Sequence, residues 1–288
     1  MVEYLCGRGA ALGECPVWDA DRQRIYWIDG TAPALLSCDV DGGSDLRVGL
    51  REKIGSFALR ERGGAVAALE SGFALLDLDS GDTEPITDPE SDLPDHRFND
   101  GKCDPGGRFW AGSLHTSFAK PNGALYRLGA DGTATRMLGG LTVPNGLAWS
   151  PDGTIMYFAD SPTGAIQACE FDCDEGRIGE PRIFAEPGSA PGFPDGATVD
   201  AEGYLWSARW DGGCIARYAP DGRLDRTVKL PVSRVTSCAF GGPRLDRLFI
   251  TTATAGLRRW KRWAQPLAGG LFVHIPGVAG LPEPRFAG

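Results

Sequence analysis

The chain has 288 residues, 42% of them apolar, with 41 glycines, 21 prolines and a formal net charge of −9. An acidic chain without a basic run suits nucleic acid poorly, because phosphates reward a positive face. No apolar run nears the ~20 residues that cross a bilayer as a helix, and the opening MVEYLCGRGA lacks the basic and apolar parts of a secretory leader, so a cytoplasmic protein without membrane contact is expected. The eight cysteines are scattered and only Cys169 and Cys173 lie close, which predicts free thiols rather than a disulfide framework or a zinc site.

Along the chain one unit recurs. It is a short apolar strand, an acidic-Gly turn, an aromatic-rich second strand, and a third strand ending at another turn. Copies begin at Cys15, Phe57, Cys103, Leu147, Ala197 and Cys238, about 40–50 residues apart. Runs such as Arg24-Ile25-Tyr26-Trp27-Ile28 and Tyr204-Leu205-Trp206-Ser207 are strand signals, and the intervening Asp-Gly, Glu-Gly and Gly-Gly pairs accept the positive φ of tight hairpins. No window shows apolar recurrence at helical spacing. The period predicts an all-β fold, a six-bladed β-propeller formed by residues 1–288 as one domain. A β-sandwich would share the strand content but not the period. The segment from Glu3 to Leu12 is expected to supply the last strand of the sixth blade and so remove an open edge.

A propeller's innermost strands line a channel, so polar groups recurring at one end of them mark a candidate site. Four segments break the apolar pattern at the starts of different repeats: Gly13-Glu14-Cys15-Pro16, Arg97-Phe98-Asn99-Asp100-Gly101, Pro144-Asn145-Gly146 and Pro194-Asp195-Gly196. Equivalent blades would bring them to one mouth. One Glu, one Asp and one Asn offer hard oxygen donors for a divalent ion such as Ca²⁺, Mg²⁺ or Mn²⁺. Asn-Gly and Asp-Gly are also ordinary turn dipeptides, so each segment alone has that plainer reading. Glu14 is not a turn residue by preference.

Other chemistries find no support. There is no G-x-S-x-G elbow, no H-E-x-x-H and no P-loop. His96, His115 and His274 are too scattered for a His-rich zinc site. Asp39-x-Asp41-Gly42 and Asp172-x-Asp174 open like calcium loops but lack the later ligands, which predicts hairpin turns.

The stretches GECPVW (13–18), RFNDGKCDPGGRFWAGSL (97–114), VPNGLAWSPDG (143–153), FPDGATVDAEGYLW (193–206), LPVSRVTSCAFGG (230–242) and LAGGLFVHIPGVAGLP (267–282) together resemble the gluconolactonase/regucalcin family, also called the senescence-marker-protein family. The resemblance implies a six-bladed propeller with one divalent metal ion in its channel (Ca, Mn, Zn, Mg or Fe(II)). It also implies hydrolysis of a small-molecule sugar lactone. Residue by residue, Glu14 and Asn145 match metal ligands, Asp195 matches a ligand that is also the general base, and Arg97 and Asn99 match substrate-holding residues. Two departures stand out. Cys15 places a thiol beside a ligand, where oxidation could reach it. Ser113-Leu114-His115-Thr116-Ser117 stands where some members carry acidic substrate contacts, which makes His115 a substrate-binding candidate against the alternative of a solvated loop histidine. Three rival readings stay open: a calcium-binding regulatory propeller without turnover, a protein-binding scaffold, and a hydrolase of aromatic lactones or phosphotriesters.

Overall fold

A computed structural model describes residues 1–7 and 9–288. Six antiparallel sheets surround a central channel as the blades of a β-propeller. The innermost strands are Gly13–Asp19, Ile54–Leu59, His96–Cys103, Pro144–Trp149, Phe193–Val199 and Val235–Gly241. The blades follow the predicted period. In the sixth, Val2–Cys6 pairs with Leu271–His274 as the outermost strand, so the first residues of the chain complete the last sheet. Across that closing seam the buried thiols of Cys6 and Cys38 meet, Sγ to Sγ at 2.9 Å.

The repeated turns have a repeated chemistry. In DPGGRFW the Asp104 carboxylate accepts from the Arg108 N–H and from Trp110 Nε1 at 2.8 Å. In DAEGYLW the Asp200 carboxylate accepts from the Tyr204 N–H and from Trp206 Nε1, again at 2.8 Å. One aspartate thus closes the hairpin and satisfies the only polar atom of a wholly buried indole. This fixes Trp110 and Trp206 in the blade cores, not on a pocket wall, and Trp149 packs beside Trp110. Trp210 instead lies under the Arg234 guanidinium, 4.4 Å from its ring centre. The calcium-loop look-alikes are turns as predicted: Asp39 accepts from the Asp41 and Gly43 N–H groups, and Asp172 from that of Glu175.

Two features escape the repeat. A six-residue helix, Arg259–Ala264, interrupts the sixth blade and is too short to leave a helical period in the sequence. The C-terminal tail crosses the far end of the channel. Phe286 is buried among Ala58, Phe98 and Tyr126, and Arg285 ion-pairs with Asp19 and Asp21. Glu283 meets Lys102 at 3.0 Å. Among the described residues no helix is long and apolar enough to cross a membrane.

Candidate functional site

Every innermost strand carries a register shift near its start. In blades 1, 3, 4 and 5 two residues oppose one: Cys15-Pro16, Asn99-Asp100, Gly146-Leu147 and Asp195-Gly196. Such bulges re-aim side chains that would otherwise alternate across the sheet. Glu14, Asn99, Asp100, Asn145 and Asp195 all lie in these bulges or abut them. The backbone demands are visible: Gly146 has φ 68°, and Cys15 sits at φ 48°, a sparsely populated region for a residue with a side chain.

The segments entering these strands are pinned from behind. Asp29 accepts from the N–H groups of Ala11 and Leu12, just ahead of Glu14. Asp160 does the same for Thr142 and Val143, just ahead of Asn145. In blade 5 the buried Arg209 donates to the carbonyls of Ala190, Pro191 and Gly192, just ahead of Asp195.

A hydrogen-bond chain then links three blades. Asn99 Nδ2 donates to Pro144 O and to Asn145 Oδ1, both at 3.0 Å. Asn145 Nδ2 donates to Ser161 Oγ at 2.8 Å, and Ser161 Oγ donates to Pro194 O at 2.7 Å. A carbonyl can only accept, so the Ser161 proton goes to Pro194 and its lone pair takes the Asn145 amide. That sets the amide orientation and leaves Oδ1 as the atom Asn145 presents on the Asn99 side. Arg97 Nη1 donates to Phe98 O at 2.7 Å and to Asn99 Oδ1 at 3.3 Å, and its guanidinium lies 5.4 Å from the Phe118 ring centre. Glu14, Arg97, Asn99, Asp100 and Asn145 together line a cavity of about 10 Å³, room for one water-sized sphere.

The electrostatics are those of acids confined, among the described residues, without ion-pair partners. Burial pushes the Glu14 carboxyl well above the usual carboxylate range, and the neighbouring Asp195 and Asp100 charges push the same way. Burial and Asp100 raise Asp195 likewise. Asp100 is raised by burial, against Lys102 and the N–H groups of Gly146 and Leu147, which donate to its Oδ2. Among the described residues neither Glu14 nor Asp195 has an ion-pair partner; Arg97 and Arg209 act on them only at longer range. A divalent cation fits this set, which supplies two carboxylates short of positive charge and one oriented amide oxygen, all hard donors. The amide is essential to the count: among the described residues no three His, Cys, Asp or Glu side chains gather as a metal cluster.

The structure therefore brings Glu14, Arg97, Asn99 and Asn145 around one cavity, with Asp195 acting electrostatically on Glu14. His115 stands apart from that lining. Its buried ring packs edge-on against His96, Nδ1 accepts from the Ser117 N–H at 3.1 Å, and Nε2 lies 2.8 Å from Lys120 Nζ. The ring is buried, which rules out the solvated alternative. Cys15 is likewise no exposed thiol: it is buried against Phe57, and burial raises its pKa further from reactivity. Two residues that sequence reasoning missed are Ser161 and Asp100. Asp100 also reaches a second cavity of about 260 Å³ at the far end of the channel, lined by Trp18, Phe57, Lys102, Cys238 and the tail.

Comparison with known proteins places the chain in a family. The SMP-30/Gluconolactonase/LRE-like region matches residues 12–254. A 6-deoxy-6-sulfogluconolactonase of Pseudomonas putida is 39% identical over 97% of this chain and 96% of the relative. A pentonolactonase of Haloferax volcanii is 35% identical over 95% and 94%. The crystal structure of a calcium-binding protein, regucalcin, from Agrobacterium tumefaciens superposes with a TM-score of 0.94 at 29% identity, covering 99% of this chain and 97% of that one. The chain belongs to the SMP-30/gluconolactonase/LRE-like family.

Proposed function

We propose that this chain hydrolyses a sugar lactone to the sugar acid at the channel mouth, with one divalent cation held by Glu14, Asn145 and Asp195. The observation that carries the reading is Glu14, which has no ion-pair partner among the described residues and interacts electrostatically with the buried Asp195, lining one cavity with the Arg97/Asn99 clamp and Asn145. Relatives across nearly the full chain length are named as lactonases of a sulfonated gluconolactone and of pentonolactones. The cation, when bound, would polarise the lactone carbonyl and acidify water. Asp195 accepts the proton of the attacking water and returns it to the ring oxygen as the C–O bond breaks. Arg97 offers fixed donors to substrate hydroxyls or the carbonyl, and Asn99 offers a donor and an acceptor.

Proton release from a panel of five- and six-membered aldonolactones tests this, on chelator-stripped protein with and without Mn²⁺, Ca²⁺ or Zn²⁺. Metal-dependent acceleration of one or two sugars is expected. Metal binding without acceleration would favour the calcium-binding regulator, the reading suggested by the name of the regucalcin structure.

A further inference from the structure

An acidic protein carries one strongly basic segment, and it rises from the same mouth. Between the strands Arg247–Thr252 and Leu271–His274 the chain reads ATAGLRRWKRWAQPLAGG, with four cations (Arg258, Arg259, Lys261, Arg262) and no Asp or Glu. Among the described residues none of the four has an ion-pair partner; Lys261 lies only near the Trp260 ring, at 5.8 Å. Trp260 and Trp263 are 63% and 82% exposed, the most open tryptophans of the fold.

One foot of this loop stands at the site, the other at the entry to the sixth inner strand. Ala253 bridges to Leu12, which lines the small cavity beside Glu14, and the N–H groups of Thr254 and Ala255 donate to Ala11 O. At the other foot Gln265 Oε1 accepts from Ser233 N–H at 2.7 Å, just ahead of the sixth inner strand. Reading hydroxyls needs no such charge, and two neighbouring bare indoles among solvated cations form an exposed apolar patch of the kind that marks an interaction site. Cations at the rim draw an arriving anion toward the mouth. Guanidinium forks match tetrahedral oxyanions, and an indole face covers the C–H face of a sugar.

We propose that the Arg258–Trp263 segment selects lactones bearing a tetrahedral oxyanion substituent, a sulfonate or a phosphate, remote from the ring carbonyl. This rests on the lactonase reading. The test compares kcat/KM for a six-carbon aldonolactone and for its 6-sulfonate and 6-phosphate forms, in the parent and in R258Q/R259Q/K261Q/R262Q. The anionic-to-neutral ratio is expected to fall by about 10- to 100-fold, carried by KM and erased by salt. Whichever anion loses more is the preferred head. An unchanged ratio, or a parent enzyme that favours the neutral lactone, overturns the proposal. Quenching of Trp260 and Trp263 fluorescence by the 6-sulfonated or 6-phosphorylated sugar acid, but not by the plain acid, is the second measurement. It decides the loop's role even if no lactone is turned over, an outcome that would sink the lactonase reading alone. Loop-dependent sedimentation with anionic phospholipid vesicles, with no quenching by either sugar acid, would make the segment a membrane contact and refute the proposal.

Discussion

The two ends of the channel handle charge in opposite ways. At the mouth, Asp195 is buried and Glu14 half-buried, and among the described residues neither has an ion-pair partner. At the far end the charges meet partners: Lys102 pairs with Glu283, and Asp19 with Arg285. Asp100 sits at the waist, lining both cavities. One end is built to be completed by something else, and the other is closed by the chain's own tail. A fold that leaves carboxylates unpaired in one place and pairs them tens of residues away is separating chemistry from stability.

The sharpest break should come from Asp195→Asn. Losing the proton acceptor is expected to lower kcat by about 10³-fold. The metal-free variant should melt above the parent, because a buried negative charge is gone. Steady-state proton release and thermal unfolding read both effects, and turnover within about 10-fold of the parent would dismiss Asp195 as the base.

The far end should behave inversely. Phe286→Ala opens a cavity among Ala58, Phe98 and Tyr126 and should lower Tm by roughly 10 °C. Its cation affinity and its ratio of rates among lactones should stay close to the parent's. A matching collapse of cation affinity would show that the tail supports the mouth, and the two ends would no longer be separable.

Glu14→Gln sharpens the comparison by charge alone. Cation affinity measured by titration is expected to weaken by about 100-fold, since a neutral amide replaces a carboxylate donor. The pH dependence has a definite sign. The folded pKa values of Glu14 and Asp195 lie above their unfolded values, so the stability they contribute is fully present below the unfolded pKa. It is lost as pH rises through the raised folded pKa. The metal-free parent should therefore gain Tm relative to Glu14→Gln as pH falls from about 8 to about 5. Cation affinity should run the other way, weakening as protons compete. A difference in Tm between the two proteins that does not change with pH would show that Glu14 is not the strained acid.

Much of this contrast is legible in the sequence, because a propeller repeats. The period locates six inner strands, and polar residues at their starts stand out against an apolar register. The aspartates behind the site repeat too: Ile25-Tyr26-Trp27-Ile28-Asp29 and Met156-Tyr157-Phe158-Ala159-Asp160 end alike, and both clamp the entry to a site strand. The far-end tail is not legible, since residues past the last repeat have no period to betray them. Asp100 hides inside a segment whose neighbours, Arg97 and Asn99, carry the motif. The basic loop reads as an ordinary charged connection until the fold sets its feet beside Leu12 and Ser233.

Ser161 is the hardest to read, because its role exists only between blades, and it gives the smallest expected effect. It follows the second strand of blade 4 and touches neither carboxylate. Its hydroxyl takes the Asn145 amide and gives its proton to Pro194 O, so it locks the amide orientation and ties the Asp195 bulge to it. In Ser161→Ala the amide loses that lock, and a flipped Asn145 would turn an NH₂ toward the site, which cannot ligate a cation. Cation affinity should weaken by about 10-fold, the usual scale for a residue that orients a ligand from behind. Ser161→Thr keeps the hydroxyl and should restore it. A fall in Tm with unchanged cation affinity would reduce Ser161 to a packing residue, and the orientation of Asn145 would then have to be set by Asn99 alone.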